Sequence, residues 1–157
     1  MFDPVWQDWH GLQGKIISLD LDLVITGEID HLFAGNSTFK ILHGANASNP
    51  NPFNASIMML RSGEHGEVWN TFSYRDALKT RYHEFPDDQG WIWHKLPQAD
   101  GWKVGSASGI YAFQKPGWPA GTLDLPDDAR IVTFIGRRKP QQFQNLPWIR
   151  KYWTAAA

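Results

Sequence analysis

The chain has 157 residues, of which 42% are hydrophobic and 20% are charged, a balance typical of one folded domain. The absence of cysteine excludes disulfides, thiolate catalysis and cysteine-ligated zinc sites. No run of about 18 apolar residues is long enough to span a membrane, and residues 1–10 lack the charged and apolar regions of a signal peptide. We therefore expect a single cytoplasmic domain over residues 1–157, without a transmembrane segment.

The net charge of −1 combines two unequal parts of the chain. Residues 1–129 hold nine Lys and Arg residues with all sixteen acids, whereas residues 130–157 hold six Lys and Arg residues and no acid. The basic side chains either dock on the acidic part or stay solvated, or they form an anion site near Arg137 and Lys139. Because the chain is slightly acidic and the basic cluster is short, we expect no nucleic-acid partner.

The first predicted element is a strand over residues 16–25, where every odd position is apolar. The other face carries Asp20 and Asp22 at its middle and is apolar at its ends. Such nearly continuous hydrophobicity predicts an interior strand in a sheet that is covered on both sides.

The later elements follow from turn residues and periodicity. Residues 44–54 are rich in Gly, Asn, Ser and Pro and predict a surface loop. Further strands are predicted over residues 39–42, 56–60, 109–113 and 130–136. A short helix or turn is predicted over residues 28–33, and further helical segments over residues 65–83 and 91–96. The segment over residues 65–83 has Val68, Trp69 and Phe72 on one side, and Ser73 as a cap would split it. A basic and aromatic tail is predicted over residues 141–157.

Asp20 and Asp22 form the strongest candidate site. Residues two apart on a strand project to the same face, about 6.6–6.8 Å apart, which allows one divalent cation to be held by both carboxylates. Hard cations such as Mg²⁺ or Mn²⁺ prefer oxygen ligands and leave positions open for phosphate. The alternative is a pair of carboxylates bound by Lys, Arg or backbone groups, and a bare Asp-x-Asp pattern favours that alternative.

The surrounding sequence adds a family resemblance. Residues 18–33, with Asp20 and Asp22, resemble the aspartate-x-aspartate segment of GT-A glycosyltransferases, in particular the bacterial relatives of glycosyltransferase family 8. Three later stretches resemble further segments of that family in the expected order, namely its Asn-Ser strand, its Asp-Gln helix start and its Gly-x-x-Lys-Pro element: residues 54–59, 88–92 and 134–140.

The resemblance implies an α/β fold with a GT-A-like mixed sheet flanked by helices, and transfer of a sugar from a nucleotide-diphosphate donor to an acceptor in a way that depends on Mn²⁺ or Mg²⁺. By the same resemblance, Asp20 contacts the ribose or the metal, and Asp22 binds the metal. The remaining site residues are implied to be Asn54 and Ser56 at the donor sugar, Asp88 and Gln89 as catalytic residues beside the sugar and acceptor, and Arg137 and Lys139 at the diphosphate.

The sequence also departs from the family pattern. Thr133, Phe134 and Ile135 stand where the family has a histidine as third metal ligand, and only about seventeen residues precede the aspartate segment, so the N-terminal nucleotide-binding part is expected to be lacking. A non-catalytic module that binds a carbohydrate or a partner is therefore an alternative function. A third alternative is a fragment that needs a second copy or another chain to complete its sheet.

Overall fold

The computed structural model describes residues 1–45, 50–80 and 87–153. Within these ranges seven strands and five α-helices are found, together with 3₁₀-helices over Asp30–Phe33 and Pro140–Phe143. The strands are β1 (Lys15–Leu19), β2 (Leu23–Ile25), β3 (Phe39–His43), β4 (Phe53–Arg61), β5 (Asp100–Lys103), β6 (Ile110–Ala112) and β7 (Ile131–Thr133). The α-helices are α1 (Pro4–Trp9), α2 (Glu67–Asn70), α3 (Tyr74–Ala77), α4 (Asp88–Lys95) and α5 (Pro147–Tyr152).

The strands form two mixed sheets. The first has the order β1-β4-β3-β5, in which only the β3 and β5 pair is parallel. The second has the order β2-β7-β6, with β2 antiparallel and β6 parallel to the central strand β7. The predicted α/β class with mixed sheets and flanking helices is confirmed, but there are two sheets where the sequence suggested one.

The predicted continuous strand over residues 16–25 is wrong. Strand β1 ends at Leu19 and pairs with β4, whereas β2 begins at Leu23 and pairs with β7 in the other sheet. Residues 20–22 form the connection, and Leu21 between the two aspartates is 98% exposed. Acids are rarely buried without a partner, and the chain leaves the first sheet at the point where a continued strand would bury them.

The predicted helix over residues 65–83 is split, as Ser73 allows. Its side chain accepts a hydrogen bond from the backbone N–H of Asp76 and caps α3. Of the three residues predicted on one side of that helix, Val68 is buried, whereas Trp69 and Phe72 are 56% and 53% exposed. The predicted loop over residues 44–54 also ends earlier than expected: β4 begins at Phe53, and residues 46–49 lie outside the described residues.

Helix α5 shows where most of the expected tail lies. Trp148 and Ile149 are buried against Phe113 and Phe134, and the Trp148 indole N–H donates to the Leu123 carbonyl at 2.9 Å. Trp148, with the partly buried Phe143 and Trp153, therefore belongs to the core beside β6 and β7, whereas Tyr152 is exposed. No helix within the described ranges is long and apolar enough to cross a membrane.

Candidate functional site

The candidate site begins at the connection between the two sheets. The Asp20 backbone N–H donates to the Ser56 carbonyl at 3.0 Å, which attaches the connection to β4. The Asp22 carbonyl accepts from the Phe134 N–H at 3.1 Å, which attaches it to the end of β7. The two aspartates are thus fixed by their backbones to separate sheets, rather than by their places on one strand.

Lys139 brings a positive charge to this connection. Its ammonium group forms an ion pair and a hydrogen bond with the Asp22 carboxylate, across 117 positions of sequence. The Lys139 backbone N–H donates to the Gln142 side chain at 3.0 Å, where the 3₁₀-helix after β7 begins. For Asp22, the alternative of a carboxylate bound by lysine is therefore observed.

Asp88 adds a third carboxyl group. It is the first residue of α4, which Asp87 caps by accepting from the Gly90 N–H at 2.7 Å. The residue keeps contact with solvent, but partial burial of its carboxyl raises the pKa of Asp88, against the effect of a hydrogen bond from the Gln89 N–H.

The pKa of Asp20 shows that these groups influence one another. Partial burial raises the pKa of the Asp20 carboxyl, and the negative charges of Asp22 and Asp88 raise it further, while the positive charge of Lys139 opposes the increase. We call Asp20, Asp22, Asp88 and Lys139 the carboxylate cluster. Lys139 pairs with Asp22, and its charge also acts on Asp20. The cluster has three acids and one ammonium group, so it has an excess of negative charge that a further cation would reduce.

Asn54 and Ser56 lie on β4 beside this cluster. The Asn54 side-chain oxygen accepts from the Ser56 backbone N–H at 3.1 Å and from the Ser56 hydroxyl. Gln89 is half-buried next to Asp88, whereas Arg137 is exposed on the loop before Lys139. The structure thus gathers Asp20, Asp22, Asp88 and Lys139, and places Ser56 against the Asp20 backbone.

The metal prediction meets an incomplete ligand set. The described residues contain no group of three or more His, Cys, Asp or Glu side chains that could hold a metal ion. Asp20 and Asp22 provide carboxylate oxygens of the type that hard cations prefer, but Asp22 already pairs with Lys139. Asp20 and Asp22 alone would leave most coordination positions of a divalent cation to other ligands.

Sequence reasoning missed the environment of three aromatic side chains. Trp69, Phe72 and Tyr74 line a cavity that also reaches Asp88. The signal that could have found them is Ser73, because a cap within a helical pattern breaks the apolar face and leaves neighbouring aromatic residues without a core to enter.

Comparison with known proteins gives a structural likeness only. No protein-family model and no curated protein sequence matches the chain. The glycosyltransferase GlyE of Streptococcus pneumoniae TIGR4 superposes on 88% of this chain in its apo form, with a TM-score of 0.55 and 17% sequence identity. A second GlyE structure gives a TM-score of 0.54 and 18% identity over the same share. The likeness establishes the fold. The matched region is 42% of the GlyE chain in both structures.

Proposed function

We propose that this chain binds a nucleotide-diphosphate sugar at the carboxylate cluster and takes part in the transfer of the sugar to an acceptor. The observation that carries the proposal is the pairing of Lys139 with Asp22 beside Asp20 at the junction of two sheets, in a fold shared with a glycosyltransferase. Since the chain spans 42% of GlyE, the activity of a whole glycosyltransferase is part of this proposal.

The charges at the junction suit such a donor. When the sugar is transferred, the bond between the anomeric carbon and a diphosphate oxygen breaks and its electron pair goes to the diphosphate. The acceptor oxygen bonds to the anomeric carbon, and the acceptor proton passes to the leaving diphosphate. The Lys139 ammonium group and the exposed Arg137 stabilise the negative charge that develops on the diphosphate. Asp88, Gln89, Asn54 and Ser56 hold the sugar through hydrogen bonds to its hydroxyl groups.

We further propose that a divalent cation, Mn²⁺ or Mg²⁺, binds with the donor. Asp20 and Asp22 would hold it, and the diphosphate would supply oxygen ligands that the chain lacks. A bound cation neutralises charge on the leaving diphosphate. In this state Lys139 would leave Asp22 and contact the phosphate oxygens instead, because an ammonium group donates strong, charge-assisted hydrogen bonds to phosphate.

Calorimetry tests this proposal. We would titrate uridine, guanosine and thymidine diphosphate sugars into the protein with and without Mn²⁺, and titrate Mn²⁺ alone. We expect at least one donor to bind with Mn²⁺ present, and Mn²⁺ to bind measurably only when that donor is there. Asp22→Asn should weaken donor binding at least tenfold.

The matched control is Asp127→Asn, which removes an exposed carboxylate before the opposite end of β7. Donor binding by this variant should equal that of the wild type. If no donor binds the wild-type protein with Mn²⁺ present, or if both variants lose affinity equally, the proposed donor site is wrong.

A further inference from the structure

A cavity of about 470 Å³ lies next to the carboxylate cluster. Its inner wall is apolar and includes Met58 of β4, Val68 of α2 and Ile92 of α4, which are 8%, 5% and 3% exposed. This volume lies within the range of pockets that bind small molecules, about 300–1,000 Å³. The described residues thus form a space large enough for a ring system or a short alkyl chain.

Three aromatic side chains line the accessible part of the same cavity. Trp69, Phe72 and Tyr74 line it, and between 53% and 62% of each residue is exposed. Phe72 packs edge-on against the buried Trp91, with ring centroids 5.5 Å apart. Exposed aromatic residues grouped around an apolar cavity are a feature of ligand sites, whereas isolated exposed apolar residues are ordinary.

Asp88 connects the cavity to the carboxylate cluster. It lines the cavity, and its charge acts on Asp20 within the cluster. A molecule in the cavity would therefore contact Asp88, which the proposed function places at the donor sugar.

The lining also restricts what such a molecule can be. Among the described residues that line the cavity, Asp87 and Asp88 carry the charged side chains, and their carboxylates would repel an anionic ligand. A sugar seated there would bury hydroxyl groups against Met58, Val68 and Ile92, and a buried hydroxyl group without a hydrogen-bond partner is unfavourable. An apolar body with one hydroxyl group avoids both penalties.

We propose that this cavity is the acceptor subsite, and that it takes an uncharged alcohol with an aryl or alkyl body whose hydroxyl donates a hydrogen bond to Asp88. The acceptor role of the cavity rests on the proposed function, but the binding of an alcohol there does not require a bound donor. The aromatic residues contact the apolar body, and the hydroxyl faces the sugar to be transferred.

The test uses 2-naphthylmethanol as the neutral aryl alcohol, 2-naphthoate as its anionic analogue and methyl glucoside as a sugar. Amide NMR titration of the full chain without donor should show 2-naphthylmethanol binding at least tenfold more tightly than either other compound. Phe72→Ala, at a half-exposed site, should weaken alcohol binding at least fivefold. Trp9→Ala should leave it unchanged, because Trp9 is an 81% exposed aromatic residue on α1 outside the cavity lining.

Several outcomes would overturn the inference. They are equal or tighter binding of 2-naphthoate or methyl glucoside, no binding of 2-naphthylmethanol, or an equal loss in Phe72→Ala and Trp9→Ala. Asp22→Asn separates the two proposals, since it should abolish donor binding and retain alcohol binding. Failure of donor binding with intact alcohol binding contradicts the proposed function, and the reverse result contradicts the acceptor subsite alone.

Discussion

The two aspartates of the candidate site differ in the partners of their side chains. Asp22 has a lysine partner, whereas the Asp20 carboxyl makes no hydrogen bond or ion pair within the described part of the chain. The family resemblance assigned Lys139 to the diphosphate, but local spacing could not predict its contact with Asp22, because the pair is distant in sequence and depends on how β2 and β7 align. The residue types of the site were predictable and their pairing was not.

Asp20 gives a prediction about stability and pH. Its pKa in the folded protein lies above the ordinary value, so its contribution to stability is fully present below the unfolded-state pKa and is lost as pH rises through the folded-state pKa. Asp20→Asn should therefore be more stable than the wild type at pH 7 without divalent cations, and this advantage should shrink as pH falls toward about 4, near the unfolded-state pKa of aspartate.

Urea denaturation at pH 7, 5.5 and 4.5 measures this difference, with Asp127→Asn as the exposed control. A variant that is less stable than the wild type at pH 7 would contradict the unfavourable burial and charge repulsion that we assign to the Asp20 carboxylate.

At the scale of elements, the sequence pattern predicted where most strands lie but not their partners. The expected strands over residues 39–42, 56–60, 109–113 and 130–136 are present with shifted ends. The alternation of apolar residues over residues 16–25 continues through a change of sheet. Alternation indicates which side chains are apolar, but it does not indicate which strand pairs with which. Leu21 is the position where the pattern misleads.

Leu21 and Leu23 form a matched pair that tests this split. Leu23→Ala should lower the free energy of unfolding by about 2–5 kcal/mol, because its side chain is buried in the core beside β7. Leu21→Ala should change it by less than about 0.5 kcal/mol, because the residue is exposed. Chemical denaturation measures both values, and a similar large loss in the two variants would indicate one continuous buried strand.

Helix α5 gives a second prediction at this scale. Trp148→Ala should cost about 3–5 kcal/mol, since a large buried aromatic side chain is lost together with its hydrogen bond to Leu123. Arg150→Ala, at an exposed position of the same helix, should cost less than about 0.5 kcal/mol. Thermal and urea unfolding measure both, and a mild effect of Trp148→Ala would show that the aromatic segment is not part of the core.

At the scale of the whole molecule, the predicted fold class agrees with the structural likeness to a glycosyltransferase. The division into two sheets lies beyond what the sequence predicted, and so does the cavity beside α4, because both result from packing between distant segments. The likeness covers 42% of GlyE and establishes the fold alone. The functional proposal therefore rests on the carboxylate cluster between the sheets.

The outer edge of β1 gives a prediction about the alternative of a second copy. In the described sheet β1 has β4 as its one neighbour, and the backbone of Asp20 bonds toward β4, so the alternate residues Ile17 and Leu19 direct their backbone groups outward. If this edge pairs with a second copy, light scattering should give about twice the mass of one 17.9 kDa chain. A mass equal to one chain at high concentration would contradict that pairing.

The central claim is that Lys139 and the carboxylate cluster bind the donor diphosphate. Phosphorus NMR tests this claim most directly. The panel of nucleotide-diphosphate sugars would be titrated with Mg²⁺ into the wild type, Lys139→Gln and the exposed control Lys103→Gln, after circular dichroism has shown that each variant is folded. We predict that both phosphorus resonances of at least one donor shift with the wild type and with Lys103→Gln, and that Lys139→Gln shifts them at least tenfold less at equal concentration. Unchanged resonances with the wild type, or equal shifts with Lys139→Gln, would contradict the account.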